Sequence, residues 1–130
     1  MAYFSYLPSD VASWLSENVD DCVFLVGFPS GSVSAPLTGC VVSAGLGSCT
    51  VTPYDEAPAV SGELLLVIHA PRSFGADSCY ELTEELSLLL LGDTSPVEIS
   101  EIYWDEVYYD RDSDSLVLEL RASFGLSLSE

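Results

Sequence analysis

From Leu116 to the carboxyl terminus the chain alternates without a break. Leu116, Leu118, Leu120, Ala122, Phe124, Leu126 and Leu128 interleave with Ser115, Val117, Glu119, Arg121, Ser123, Gly125 and Ser127. A period of two sustained this long is incompatible with a helix, whose apolar positions recur every three to four residues. It predicts one long strand with one buried face, and that face needs another layer to cover it. A second segment, Glu63 to Ala70 (ELLLVIHA), is a continuous apolar run closed by Pro71. Such a run predicts a central strand covered on both faces.

The remaining elements follow from caps and breakers. Ser9 is placed to cap a short helix in which Val11, Trp14, Leu15 and Val19 recur at helical spacing, with Asp10 suiting its dipole. Cys22 to Val26 reads as a buried strand stopped by Gly27 and Pro29, and Pro29 to Gly39 as a loop. Cys40–Val42 and Ser48–Tyr54 read as two short strands around a Gly45-Leu46-Gly47 turn, followed by a loop from Pro53 to Gly62. Ser78 and Glu81 form a capping-box pair for a helix carrying Leu82, Leu86, Leu89 and Leu90, with Gly92 as its stop. Val97 to Tyr109 is an aromatic strand or bent pair, and Asp110 to Asp114 is a turn. The order α-β-β-β-β-α-β-β predicts a single α+β domain over residues 1–130: a mostly antiparallel sheet with two helices packed on one face.

Composition narrows function by exclusion. The 130 residues carry three cations, Arg72, Arg111 and Arg121, against 21 Asp and Glu, for a net charge of −18 with no Lys. High charge signals disorder only when hydrophobicity is low, and 48% of this chain is hydrophobic. Binding nucleic acid through a basic footprint is excluded, since that affinity rests on neutralising phosphates. No apolar run approaches the roughly 18 residues of a membrane span. Met1 to Asp10 has no Lys or Arg and no apolar core segment, so no secretory signal is expected. The four cysteines, Cys22, Cys40, Cys49 and Cys79, show no C-x-x-C spacing. The single histidine completes no usual zinc set with them, so they are expected reduced and buried, with no metal and no cofactor.

Each candidate for chemistry meets a plainer alternative. Asp110, Asp112 and Asp114 have the D-x-D-x-D spacing that opens a calcium loop. The match then fails, with Ser115 at position six and Arg121 at position twelve, leaving a solvated turn. His69, with Ser73 and Asp77 nearby in sequence, suggests an acid–base group, but no nucleophile elbow accompanies it and a structural histidine is the simpler expectation. Glu98, Glu101, Asp105 and Glu106 offer glycosidase-like pairs, yet any pair chosen from 21 acids is uninformative. No catalytic constellation emerges, and the expectation is that the chain is not an enzyme. The charge itself has two physical uses: the wall of a duct through which DNA slides without sticking, or a decoy that occupies the basic cleft of a DNA-binding protein.

A short amino-terminal helix leads into a buried strand (CVFLVGF). A long strand ending in Arg (LLLVIHAPR) runs into one amphipathic helix (YELTEELSLLLL), and an antiparallel hairpin closes the chain (LVLELRASFGL). In element order and length this resembles the tail terminator and neck proteins of long-tailed bacteriophages, small α+β proteins that cap the tail tube as a hexameric ring. The resemblance implies a virion structural protein, made in the host cytoplasm. It would end the tail tube, join it to a head connector or stopper protein, and let DNA pass without specific binding and without a membrane. Under that reading Glu98, Glu101, Asp105, Glu106, Asp110, Asp112 and Asp114 are expected at the lumen or in solvent. The aromatics Tyr3, Phe4, Tyr6, Tyr103, Trp104, Tyr108 and Tyr109 are candidate assembly contacts. The alternative remains an acidic, DNA-mimicking inhibitor of a nucleic-acid-binding enzyme.

Overall fold

The computed structural model describes residues 6–20, 22–27, 39–53, 58–112 and 114–127. Helix α1 (Leu7–Asn18) is followed by β1 (Cys22–Val26), β2 (Cys40–Thr52) and β3 (Ala59–Pro71). A single 3-10 turn then leads into α2 (Ala76–Leu91), after which come β4 (Ile99–Trp104), β5 (Tyr108–Asp110) and β6 (Ser115–Ser127). One six-stranded sheet runs in the order β1-β2-β3-β6-β4, with β5 also pairing β6. Among the described residues only β1 and β2 pair in parallel; the other ladders are antiparallel. The fold is therefore α+β with a mostly antiparallel sheet, as the pattern of elements predicts.

The two strands singled out by hydropathy form the centre of the sheet. β3 and β6 pair along their full length, from Ala59 opposite Ser127 to Pro71 opposite Ser115. Leu64, Leu66, Ile68 and Ala70 share one face with Leu118, Leu120, Ala122 and Phe124, and all eight are buried. They meet Val11 and Leu15 of α1 and Leu82, Leu86 and Leu90 of α2 in the main core. Burying a leucine side chain stabilises by roughly 1.5–3 kcal/mol, so this layer is the main source of stability.

The continuous apolar run of β3 has a second face, to whose cluster neither described helix contributes a residue. Leu65, Val67 and Val117 form a separate small cluster there. They lie in cross-strand rows with Gly45, Ser43, Glu119, Arg121, Tyr103 and Tyr108. Val117, expected on an exposed face, is only 1% exposed.

Two expectations for the strands are corrected. Cys40–Val42 and Ser48–Tyr54 are not two strands around a turn: β2 is one strand of 13 residues. Its glycines sit within it, and a register shift between Leu46 and Cys49 takes up the irregularity they signalled. Opposite that shift, a Cβ on Gly62 would lie 2.6 Å from Cys49 Sγ and 3.0 Å from the Ser48 carbonyl oxygen, so β2 approaches β3 more closely than a side chain allows. The loop expected up to Gly62 accordingly ends earlier, with β3 already formed at Ala59.

The helix starts also differ. α1 begins at Leu7, with Pro8 in the first turn where its missing N–H costs nothing, and Tyr6 rather than Ser9 stands at the cap. α2 begins at Ala76 behind Gly75, whose φ of 83° favours glycine. Ser78 does not cap it; its hydroxyl donates back to the Phe74 carbonyl at 3.0 Å. The helix does stop at Gly92 as expected.

Candidate functional site

The helix-free face of the sheet carries a belt of polar groups laid across strands that are far apart in sequence. Tyr103 of β4 is the register partner of Arg121 on β6, which faces Leu65 on β3. The Arg121 guanidinium sits between two carboxylates, 3.7 Å from Glu63 and 3.2 Å from Glu119. The Tyr103 hydroxyl donates to Glu63, and the Tyr108 hydroxyl donates to Glu119 at 3.2 Å. Gly47 leaves room for this arrangement, since a Cβ there would lie 3.3 Å from Glu63 Oε1. The hydrogen bond to Glu63 holds the Tyr103 phenol above its ordinary pKa, and burial followed by the Glu119 charge does the same for Tyr108. Both phenols stay protonated donors. The single cation is already matched by two acids, so the belt has no spare positive charge with which to hold an anion. It links β3, β6, β4 and β5 into one plate.

A second cluster lies at the turn after β5. Arg72 stands over the Tyr109 ring at 5.8 Å and 3.7 Å from Asp114, which also accepts the Tyr109 hydroxyl. Asp114 adopts a φ of 49°, and the Asp112 N–H bonds the Asp110 carboxylate at 3.3 Å. The D-x-D-x-D segment is the hairpin turn expected, with the Asp110 and Asp114 carboxylates engaged locally. Among the described residues no group of three or more potential ligands is arranged to hold a metal.

His69 is the register partner of Val117 and is 4% exposed. Ser73 and Asp77, its neighbours in sequence, are exposed, Ser73 in the 3-10 turn and Asp77 in the first turn of α2. The ring instead meets Ser115, with Nδ1 3.3 Å from the hydroxyl, and Nε2 has no partner. Ser115 is itself fully buried, so the pair has no access to a substrate. Burial lowers the His69 pKa, with the Asp110 charge opposing the shift. Such a group favours folding while neutral. Its contribution is full above the ordinary histidine pKa and is lost as pH falls from about 6.5 toward the lower folded value. Urea unfolding at pH 7.5 and 5.5 should therefore show the wild type losing more stability between the two than His69→Asn does. Parallel pH profiles of the two proteins would rule this out.

The remaining surface is sorted by chemistry. Glu98, Glu101, Asp105, Glu106 and Asp112 are exposed and Asp110 and Asp114 half-exposed, all compatible with lumen or solvent. Tyr6, Tyr108 and Tyr109 are exposed by 63%, 48% and 45%. Tyr3 and Phe4 lie outside the described residues. The two strands that end the sheet order both expose apolar groups: Val23 and Val26 on β1, Tyr103 and Trp104 on β4. Cys22–Val26, expected as a buried strand, has no fully buried residue and exposes its valines; a five-residue apolar strand gives no sign of lying at an edge. The Glu63–Arg121–Glu119 belt was missed for a different reason: its members meet only through strand register. The one available hint was that the alternation puts Glu119 and Arg121 on the same face of β6.

The cysteines depart in part from their expected burial. None is disulfide-bonded, but only Cys79 is buried; Cys22 and Cys40 are half-buried and Cys49 is exposed. No helix among the described residues is long and apolar enough to cross a membrane. Compared with known protein families and with curated proteins, the chain matches none.

Proposed function

We propose that this chain is a structural subunit that closes into a ring through the two ends of its sheet. The ring is the one at the head-proximal end of a long phage tail, where it ends the tail tube, joins it to the head connector and passes DNA along an acidic lumen. The observation that carries the reading is the unlikeness of the two edges, with Val23 and Val26 exposed on β1 and Tyr103 and Trp104 on β4. Edge strands are normally blunted with charge or proline, because an exposed apolar edge recruits another chain. Two unlike edges make a head-to-tail contact, which generates a closed ring when the rotation per subunit closes. The Tyr–Glu–Arg belt supports this by stiffening the plate behind the β4 edge. The charge supports the passage of DNA: with no Lys and a net charge of −18, the chain has little with which to displace the counterions of a phosphate backbone. The phage assignment rests on the resemblance in element order.

One observation favours the second reading, an acidic decoy for a basic cleft. On the outer face of α2, Glu81, Glu84 and Glu85 line a shallow groove with Leu88 and Leu89. Salt separates the two readings. Subunits of one sign repel, and the Debye length falls from about 30 Å at 0.01 M to about 10 Å at 0.1 M salt, so ring formation should strengthen as salt is added. Attraction to a basic cleft weakens instead. Light scattering across this range, with pull-downs from lysate at both ends, is expected to show mass rising with salt and concentration. A monomer under every condition, capturing basic proteins only at low salt, would sink the ring and favour the decoy.

A further inference from the structure

We propose that Cys22 and Cys40 form a dithiol that exchanges with small-molecule disulfides, Cys40 attacking and Cys22 resolving, so that β1 is reversibly stapled to β2. This does not depend on the ring reading. Cys22 and Cys40 are direct register partners, the first pair of the parallel β1–β2 ladder. Residues so paired project from the same face, and adjacent strands lie about 4.8 Å apart. That spacing falls inside the roughly 4.4–6.8 Å between Cα atoms that a disulfide spans. Both side chains are half-buried against the core, so neither is sealed from a small reagent.

The Cys40 thiol is also chemically distinguished from that of Cys79. A hydrogen bond with Cys22 brings the Cys40 thiol down to about 7 against the opposing effect of burial, which leaves much of it as thiolate near neutral pH. Cys79 is buried, and burial together with the Cys40 charge pushes its thiol up to about 11. Cys49 is exposed but stands opposite Gly62, with no cysteine in register to resolve an adduct. Selectivity for the Cys22–Cys40 pair is thus built into the sheet.

The exchange balances as follows. The Cys40 thiolate attacks one sulfur of a disulfide RSSR, forming Cys40–S–S–R and releasing RS⁻, which takes up a proton. Cys22 gives its proton to solvent and its sulfur displaces the second RS⁻. The protein loses two hydrogens and RSSR is reduced to two RSH. The new bond closes the chain between residues 22 and 40 and ties down a strand whose only sheet partner among the described residues is β2. For a loop of this length the melting temperature should rise by on the order of 10 °C.

The test uses reduced full-length protein incubated with cystamine or with oxidised glutathione, then peptide mapping by mass spectrometry without reduction. The expected product is a Cys22–Cys40 cross-linked peptide lacking two hydrogens, with Cys22→Ser trapping the mixed disulfide on Cys40. Because the chain is strongly anionic, the dication cystamine should react about tenfold faster than anionic glutathione at low salt, the gap closing as salt is added. Modification confined to Cys49, with Cys22 and Cys40 recovered as thiols, would overturn the proposal. So would cross-linking of Cys40 to Cys79 in place of Cys22. The wild-type map decides the matter even if the Cys22→Ser variant does not fold.

Discussion

Replacing Leu120 with alanine is expected to remove about 2–5 kcal/mol of stability, a large share of what a domain of this size possesses. Leu120 has no exposed surface and stands in register between Leu66 of β3 and Trp104 of β4. It stands in the row that joins β3 and β6 to β4 and belongs to the core cluster that also holds residues of both helices. A cavity there cannot collapse easily, because the β3–β6 ladder runs unbroken through this position. The comparison is Val51→Ala on β2, where the side chain is 54% exposed and the change should stay within about 0.5 kcal/mol. Urea unfolding with an unchanged slope is the measurement. A loss below about 0.5 kcal/mol at Leu120 would mean that the terminal strand presents its other face to the helices, since a slip of one residue exchanges the faces entirely.

The parts of the fold legible in the sequence are those in which a single element states its own environment. β6 alternates, β3 is uniformly apolar, and α2 has its leucine stripe, and each occupies the place those patterns imply. What was not legible depends on neighbours. The glycines at 45 and 47 signal irregular backbone, but whether the chain turns or merely shifts register is decided by β3, which continues past them and keeps β2 extended. Val117 looks like a solvent-facing residue of an alternating strand, yet Leu65 and Val67 beside it make that face apolar enough to bury it. His69 shows the same limit at a polar group. Its partner Ser115 lies 46 positions away and is brought to it by the β3–β6 register. The Glu63, Arg121, Glu119 and tyrosine belt is assembled entirely this way, so no local motif announces it. Glu98, Glu101, Asp105, Glu106 and Asp112 are exposed, and in a chain with three cations against 21 acids most carboxylates lack a cation to pair with.

If the two sheet edges meet head to tail, single-edge variants should each stop assembly and yet complement one another. Trp104→Glu spoils the β4 edge and leaves Val23 and Val26 intact; Val23→Glu spoils the β1 edge and leaves Tyr103 and Trp104 intact. Both positions are more than 40% exposed, so neither change buries a charge in the isolated subunit and both variants should fold. Within the contact, each adds a carboxylate to an apolar interface between subunits that already share one sign, a desolvation and repulsion cost of several kcal/mol. At 0.1 M salt each variant alone should therefore be monomeric where the wild type assembles. An equimolar mixture still holds one sound β4 edge and one sound β1 edge, which can pair once and leave two spoiled edges outward. The mixture should form a heterodimer and nothing larger. Edges that pair with their own kind behave differently, since Val23→Glu would then leave a β4–β4 contact untouched and keep assembling alone. Light scattering of the two variants, separately and mixed, distinguishes these cases. Assembly of Val23→Glu by itself, or a mixture that stays monomeric, would remove the head-to-tail contact and with it the ring.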